Sequence, residues 1–438
     1  MDERSPPLNA RLGALLRDRY RTDDLLQLRR TLDELGTLAF SRFESGLFSA
    51  SPAGADKSGY ENVWVRDNVH VAYAQLVRGD VASAVGVARA LLSYFHRYRR
   101  RLQDIIAGVV DPDDVSRRPH VRFDGQALRE IASEKWAHAQ NDALGYFVWL
   151  VSLLARRGAL RLSPDEGRTL LLFARYFQAI RFWQDPDSGH WEEARKVSAS
   201  SIGTVVAASN ELAALLRDPG ANRALADWRA EGLLIVDELS SKGGEALAAI
   251  LPAECVERSP RLHRSHDGAL VFLVHPLRAV DDAMAATLLA DVEAQLSGEV
   301  GIRRYAGDSY WAPDYDVKLP PAERTRDFSD DVETRDRLLE RLGDEAQWCI
   351  FDGYISAHHG VEFARTRAAA SHERQVHHLN RALRQVTAER DATPNRCSEL
   401  YYLKQGRFVP NPHTPLQWAQ ASLLIALQQM AATAALGT

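Results

Sequence analysis

Carboxylates, guanidinium groups and indoles gather in five short segments of this chain. They are Trp64-Val65-Arg66-Asp67-Asn68, Trp136-Ala137-His138-Ala139-Gln140-Asn141-Asp142, Trp191-Glu192-Glu193, the stretch from Gly301 through Arg303-Arg304-Tyr305 to Asp308 and Trp311, and Cys397-Ser398-Glu399-Leu400-Tyr401-Tyr402 with Asn411-Pro412-His413 close behind. Carboxylates and guanidinium groups bond in pairs to vicinal hydroxyls, and an indole covers the apolar face of a sugar ring. Six of the nine tryptophans (Trp64, Trp136, Trp191, Trp311, Trp348 and Trp418) fall in or beside these segments, which favours a sugar pocket over a random scatter. Blander readings stand beside this one. Glu192 and Glu193 could cap a helix N-terminus, Arg66 and Asp67 could be a structural ion pair, Glu399 could be a loop acid, and Trp64 and Trp418 could be core.

The elements that must position these residues are helices of two kinds. Leu25 to Leu35, Val81 to Tyr98, Thr169 to Trp183, Asn222 to Leu239 and Glu362 to Val386 are amphipathic at helical spacing. Between them lie runs that are apolar nearly all round: Val69 to Val77, Ala143 to Ala155, Ile202 to Leu216, the weaker Met284 to Leu289, Trp348 to Ala357, and Leu416 to Ala426. A helix without a polar face must be surrounded by protein. Six buried helices recurring roughly every seventy residues, each paired with an amphipathic one, predict two concentric rings, an all-α (α/α)6 barrel. A helical array without closure is the alternative. Parallel inner helices would bring the five polar segments to one rim. Gly46 to Ala50 and Ala269 to Val274 read as short strands, Asp111 to Phe123 as a surface loop, and Trp311 to Asp336 as a long loop of the kind that is usually functional.

The 438 residues are read as an N-terminal segment, 1–20, and one domain, 21–438. A net charge of −5 without a basic block argues against nucleic acid. The apolar stretch at Ala143 to Ala155 is too short for a membrane span, and the N-terminus lacks an apolar signal region. Cys255, Cys349 and Cys397 form no CxxC, so reduced thiols and a cytoplasmic location are expected. His358-His359 and His377-His378 are adjacent pairs, whereas two metal ligands on one helix face sit three or four apart. His263 and His266 have that spacing without further ligands. The histidines are therefore read as surface or structural, and neither a metal nor an organic cofactor is expected.

From about Ser45 to Ala426 the chain resembles the glucoamylase-type family, glycoside hydrolase family 15, and the related domain of phosphorylase kinase regulatory subunits. WVRDNV (Trp64 to Val69) is similar to the family's WxRD motif, W-x3-Q-x-D (Trp136, Gln140, Asp142) to its next pocket segment, and PDSGHWEEARK to its WEE motif. RRYAGDSYW and SELYY match two further segments. Any one is weak, but five in order make a joint signal. The resemblance implies Glu192 as general acid and Glu399 as general base. It also implies substrate contacts from Arg66, Asp67, Trp64, Trp136, Gln140, Asp142, Trp191, Glu193, Arg304 and Trp348. The substrate would be an α-linked glucose oligosaccharide or polysaccharide, cut from its non-reducing end with inversion. Burial and a neighbouring carboxylate such as Glu193 are expected to raise the pKa of Glu192. WVRDNV, SASSIG, ELYY and NPHT lean toward the kinase-subunit branch, so a non-catalytic glycan-binding module is the second reading. Another activity on the same scaffold, such as trehalose cleavage, is the third.

Overall fold

The computed structural model describes residues 4–52, 59–132, 136–218, 220 and 223–437. Twelve helices carry the fold: α1 Thr22–Leu35, α2 Val65–Val77, α3 Val81–Arg97, α4 Asn141–Arg156, α5 Pro164–Ala179, α6 Ala199–Arg217, α7 Arg229–Ile250, α8 Val271–Val274, α9 Asp282–Asp291, α10 Phe351–Thr366, α11 Ala369–Arg384 and α12 Gln417–Ala434. Local chemistry starts several of them. Asp80 and Asp281 accept from the third backbone N–H beyond them, and Ser163 and Glu166 form a capping box with Pro164 in the first turn. Arg367, in the left-handed region at φ 59°, divides the expected run Glu362 to Val386 into the end of α10 and the start of α11.

The even-numbered helices neighbour one another in the order α2, α4, α6, α8, α10, α12 and back to α2, which closes an inner ring. The odd-numbered helices pack outside it, so the chain alternates outer and inner through six hairpins, an (α/α)6 barrel. In α4, every residue from Asn141 to Ala155 is buried, as an apolar-all-round sequence requires. Among the described residues one helix, Ala199–Arg217, is long and apolar enough to cross a membrane, but it is α6 of the inner ring and 83% of its apolar window is buried inside the protein.

The fourth hairpin corrects the sequence reading. Its inner place is taken by Gly268–Leu270 and the four-residue α8, with Phe272 and Leu273 fully buried, whereas Met284 to Leu289 lies in the outer α9. Ala269 to Val274 is thus helical, not a strand. Its β-branched and aromatic residues are selected by burial at the barrel axis rather than by a sheet. Gly46 to Ala50 makes one bridge, Arg42 to Phe48, and no strand. Trp348 precedes its expected helix. Asp111 to Phe123 is not wholly a surface loop, because Arg118 is fully buried in a two-pronged bond with Asp185 (2.7 and 2.6 Å).

Five short strands dress one rim. β1 (Val63–Trp64) pairs antiparallel with β2 (Arg122–Phe123); β3 (Gln347–Trp348), β4 (Leu400–Lys404) and β5 (Arg407–Pro410) form an antiparallel three-stranded sheet. Residues 4–20 pack on the barrel, with Leu12 and Asn9 buried and the Tyr20 hydroxyl donating to Asn380 (2.6 Å).

Inner helices touch backbone to backbone where glycines allow it. A Cβ on Gly353 of α10 would lie 2.4 Å from the carbonyl oxygen of Ser422 in α12. Neither helix can yield without opening the ring. Gly353→Ala should therefore cost about 2 kcal/mol, the usual range for overpacking, read as a lowered Tm by calorimetry.

Candidate active site

The N-terminal ends of the inner helices and the rim strands enclose a cavity of about 350 Å³, lined by both expected acids, Glu192 and Glu399, and by Trp64, Arg66, Asp67, Trp136, Trp191, Glu193, Arg304 and Trp348. Its floor is aromatic. Trp418 stacks on His70 (4.6 Å between centroids), and both meet Phe272, so side chains from α2, α8 and α12 plug the barrel axis. The Tyr354 hydroxyl satisfies His70 Nδ1 at 2.7 Å within this plug.

Glu192 follows the single turn Gly189–Trp191 and has φ 61°, a left-handed backbone that is uncommon outside glycine. The two consecutive acids consequently meet different partners. Glu192 Oε1 accepts from Trp64 Nε1 (2.8 Å) and Arg66 Nη2 (3.1 Å), and its side chain keeps 18% exposure. Burial raises its pKa above the usual carboxylate range, against the opposing pull of Arg66, Arg122 and the Trp64 N–H.

Glu193 is held differently. Arg264 Nη2 donates to Oε2 (2.9 Å), Lys196 Nζ stands 3.8 Å from that oxygen, Arg304 Nη2 is 3.4 Å from Oε1, and the Tyr305 hydroxyl donates to Oε1. Burial opposes its charge, yet the three cations hold its pKa below the usual range. This corrects the expectation that Glu193 raises the pKa of Glu192. The carboxylate that pushes in that direction is Asp142, and burial is the larger cause.

Glu399 lies immediately before β4, and its own carbonyl accepts from Cys349 N (2.9 Å). The Tyr60 hydroxyl donates to Oε1 (2.6 Å), the Asn411 amide donates to Oε2, and His413 Nδ1 stands 3.0 Å from Oε2. Tyr60 stacks on His413 (3.8 Å, 14°) and packs on Trp64 (5.3 Å), whose indole bonds to Glu192. Two aromatic rings thus stand between the two acids along one wall.

Arg66 and Asp67 open α2. Arg66 Nη1 donates to Asp142 Oδ2 (2.5 Å) and to Gln140 Oε1 (3.2 Å). Gln140 and Asp142 are 1% and 0% exposed and do not line the cavity, a correction to their reading as substrate contacts: they stand behind Arg66 and fix its guanidinium. Asp67 does line the cavity, and burial pushes its pKa up to about 7.

Arg304 makes a two-pronged bond to Asp308 (2.6 and 2.7 Å) beneath Trp191, Tyr310 and Trp348, whose ring centroids lie 5.0 to 5.3 Å from its carbon. Trp191 is fixed by its N–H on Asp267 Oδ1 (2.8 Å). Across the cavity, Arg122 stacks on both Trp136 (4.0 Å) and Trp64 (4.6 Å). The stretch expected as one long loop carries helical turns at Tyr315–Lys318 and Pro321–Glu323 and enters the helix Val332–Leu339; between them Thr325 to Ser329 supply a wall, with Ala194 N donating to Ser329 Oγ (2.9 Å).

Sequence reasoning assigned no role to Tyr60, Arg122, Asp308, Tyr310, Asn411 or His413, although the last four fall in or beside segments singled out by their polarity. A lone tyrosine in a loop, such as Tyr60, carries no pattern that could mark it.

The two consecutive acids should respond oppositely to amide substitution. Glu193→Gln leaves three buried cations under-compensated and should cost about 3 kcal/mol. Glu192→Gln removes a charge that burial disfavours, so Tm should hold or rise. Parallel thermal melts at neutral pH check both.

The sequence profile of the family described as Glycosyl hydrolases family 15 matches residues 31–425. No curated protein matches the sequence. Among solved structures, a glycosidase variant in complex with glucose aligns at a TM-score of 0.61 and 21% identity, over 96% of this chain and 97% of that one. A bacterial glucoamylase complexed with acarbose gives 0.59 and 16%, over 97% of this chain and 57% of that one. The glucoamylase from Saccharomycopsis fibuligera gives 0.56 and 13%, over 95% and 98%. At such identities the likeness is one of fold, and it agrees with the barrel described above. The profile match, spanning most of the sequence, shows that the chain belongs to glycosyl hydrolases family 15.

Proposed function

We propose that the protein releases glucose from the non-reducing ends of α-linked gluco-oligosaccharides or α-glucans by an inverting, two-carboxylate mechanism. The observation that carries this reading is the contrast between two carboxyls on one cavity. Glu192 is partly open to the cavity and has a pKa raised by burial; Glu399 is held by hydrogen-bond donors, which suits a carboxylate that accepts a proton. Glu192 protonates the glycosidic oxygen as the bond breaks. Glu399 takes a proton from a water that attacks the anomeric carbon from the opposite face, and the geometry of inversion leaves that water its space between the two carboxyls.

Arg66, fixed from behind by Gln140 and Asp142, and Asp67 hold hydroxyls of the terminal glucose. Arg304 does so nearer the cleavage point, and Trp136, Trp191 and Trp348 form walls. The aromatic floor supports exo-attack, since a chain cannot thread past Trp418 and His70. The glucose and acarbose complexes of the structural relatives support an α-glucose ligand. The kinase-subunit likeness rests on four short motifs alone, while the acid pair favours catalysis.

Glucose release from maltose, isomaltose, trehalose and dextrin tests the proposal. The wild type should turn over α-linked glucans with β-glucose as the anomer first seen by NMR. Glu192→Gln and Glu399→Gln should each lower kcat by about 10²–10⁴-fold. Absence of turnover with retained sugar binding would sink the proposal and leave a glycan-binding module.

The pH profile gives a second check. Glu192 must be protonated to act, so kcat/KM falls on the alkaline side as it ionises. Trp64→Phe removes a donor that stabilises its ionised form, so the alkaline limb should move to higher pH.

A further inference from the structure

Away from the sugar cavity, Glu293, His359 and His378 bring one carboxylate oxygen and two imidazole nitrogens within 4.8 Å of one another. They come from three elements: Glu293 from a π-helical turn, Val292–Leu296, that continues α9, His359 from α10 and His378 from α11. Isolated π turns are rare and recur at functional sites. One histidine of each adjacent pair is thus drawn into a cluster, which the spacing rule for a single helix face could not anticipate.

Two carboxylates, Asp352 and Glu293, face the two nitrogens of His378. His378 Nδ1 stands 2.7 Å from Asp352 Oδ1, and Asp352 also accepts from Arg381 Nε (2.8 Å) and Gln385 Nε2 (2.6 Å). With the Nδ1 proton directed at this carboxylate, a neutral ring presents its Nε2 lone pair to Glu293 Oε1 at 3.4 Å. His359 is 8% exposed, its Nε2 has no partner, and its ring lies 6.2 Å from that of His378 at 23°. A carboxylate behind an imidazole whose other nitrogen meets further donors is the arrangement that orients histidine toward a metal. Among the described residues, Arg374, 3.4 Å from Glu293, is the cation paired with that carboxylate besides His378.

We propose that Glu293, His359 and His378 bind a divalent transition cation of the zinc class, with Asp352 orienting His378. Two imidazoles and a carboxylate suit zinc, and the 30% exposure of Glu293 leaves water room as a fourth ligand. The cation ties the end of α9 to α10 and α11. Through Arg381, which Asp352 holds and which donates to the carbonyls of Gly298 (3.1 Å) and Gly301 (3.0 Å), the clip also braces the segment leading to Arg304.

The competing occupant of the gap is a proton, making His378 an imidazolium between Asp352 and Glu293. To separate the two, the full-length protein is stripped with a chelator and titrated with zinc chloride and with cobalt(II) chloride. One equivalent should bind, zinc should raise Tm, and cobalt should give the intense visible absorption of a tetrahedral site. His359→Gln and Glu293→Gln, both checked for folding by circular dichroism, should each weaken binding by at least about tenfold. Failure of folded wild type to bind one equivalent of either metal, or unchanged binding in both variants, overturns the proposal in favour of the proton. Neither result depends on hydrolysis of any sugar.

Discussion

The site depends on where the Arg66 guanidinium is held. It opens an inner helix, bonds through Nη1 to Gln140 and Asp142 at the head of the next, and reaches Glu192 through Nη2. Removing a guanidinium from water costs several kcal/mol, and a partnership this close must offset it. Asp142 supplies the buried counter-charge, so Glu192 need not serve as the full partner. That division lets Glu192 sit beside a cation and still keep a raised pKa, because burial outweighs one shared hydrogen bond.

Glu193 is the complement. Without it, Arg264 and Lys196 would lose their shared carboxylate and Arg304 would keep only Asp308. Adjacent in sequence and identical in type, the two acids differ because the left-handed residue between the Gly189–Trp191 turn and Glu193 sends one side chain toward α2 and the other toward Arg264 and Tyr305. One acid is held by three cations that offset its charge; the other keeps a carboxyl whose charge burial disfavours.

Much of the barrel was legible in the sequence, because a helix apolar on all sides admits only one environment. Five inner helices follow from that alone. The fourth was missed because Val271–Val274 is four residues long and built from strand-favouring types, while Met284 to Leu289 is apolar for a weaker reason, a single face on the outer layer. At the site, residue types at helix entrances were legible, since polarity ahead of an apolar run is conspicuous. Depth was not. Nothing in the order Gln140-Asn141-Asp142 says that Gln140 and Asp142 point at Arg66 rather than into the cavity. Tyr60 and the histidine cluster were hidden for a related reason: their partners lie hundreds of residues away or on other helices.

The same argument explains why the rim strands matter in a helical fold. Helix ends provide direction but leave side chains on a curved wall, and Glu192 and Glu399 each need a further element to fix their place on the cavity. β1 ends at Trp64, whose indole meets Glu192; β4 begins just after Glu399, and β3 beside it carries Trp348. Each strand is only two to five residues long, too short to stand alone, and each is anchored by a helix that starts within three residues or by its neighbour in the sheet. The barrel therefore supplies rigidity, and these short ladders convert it into the placement of two carboxyls across one cavity.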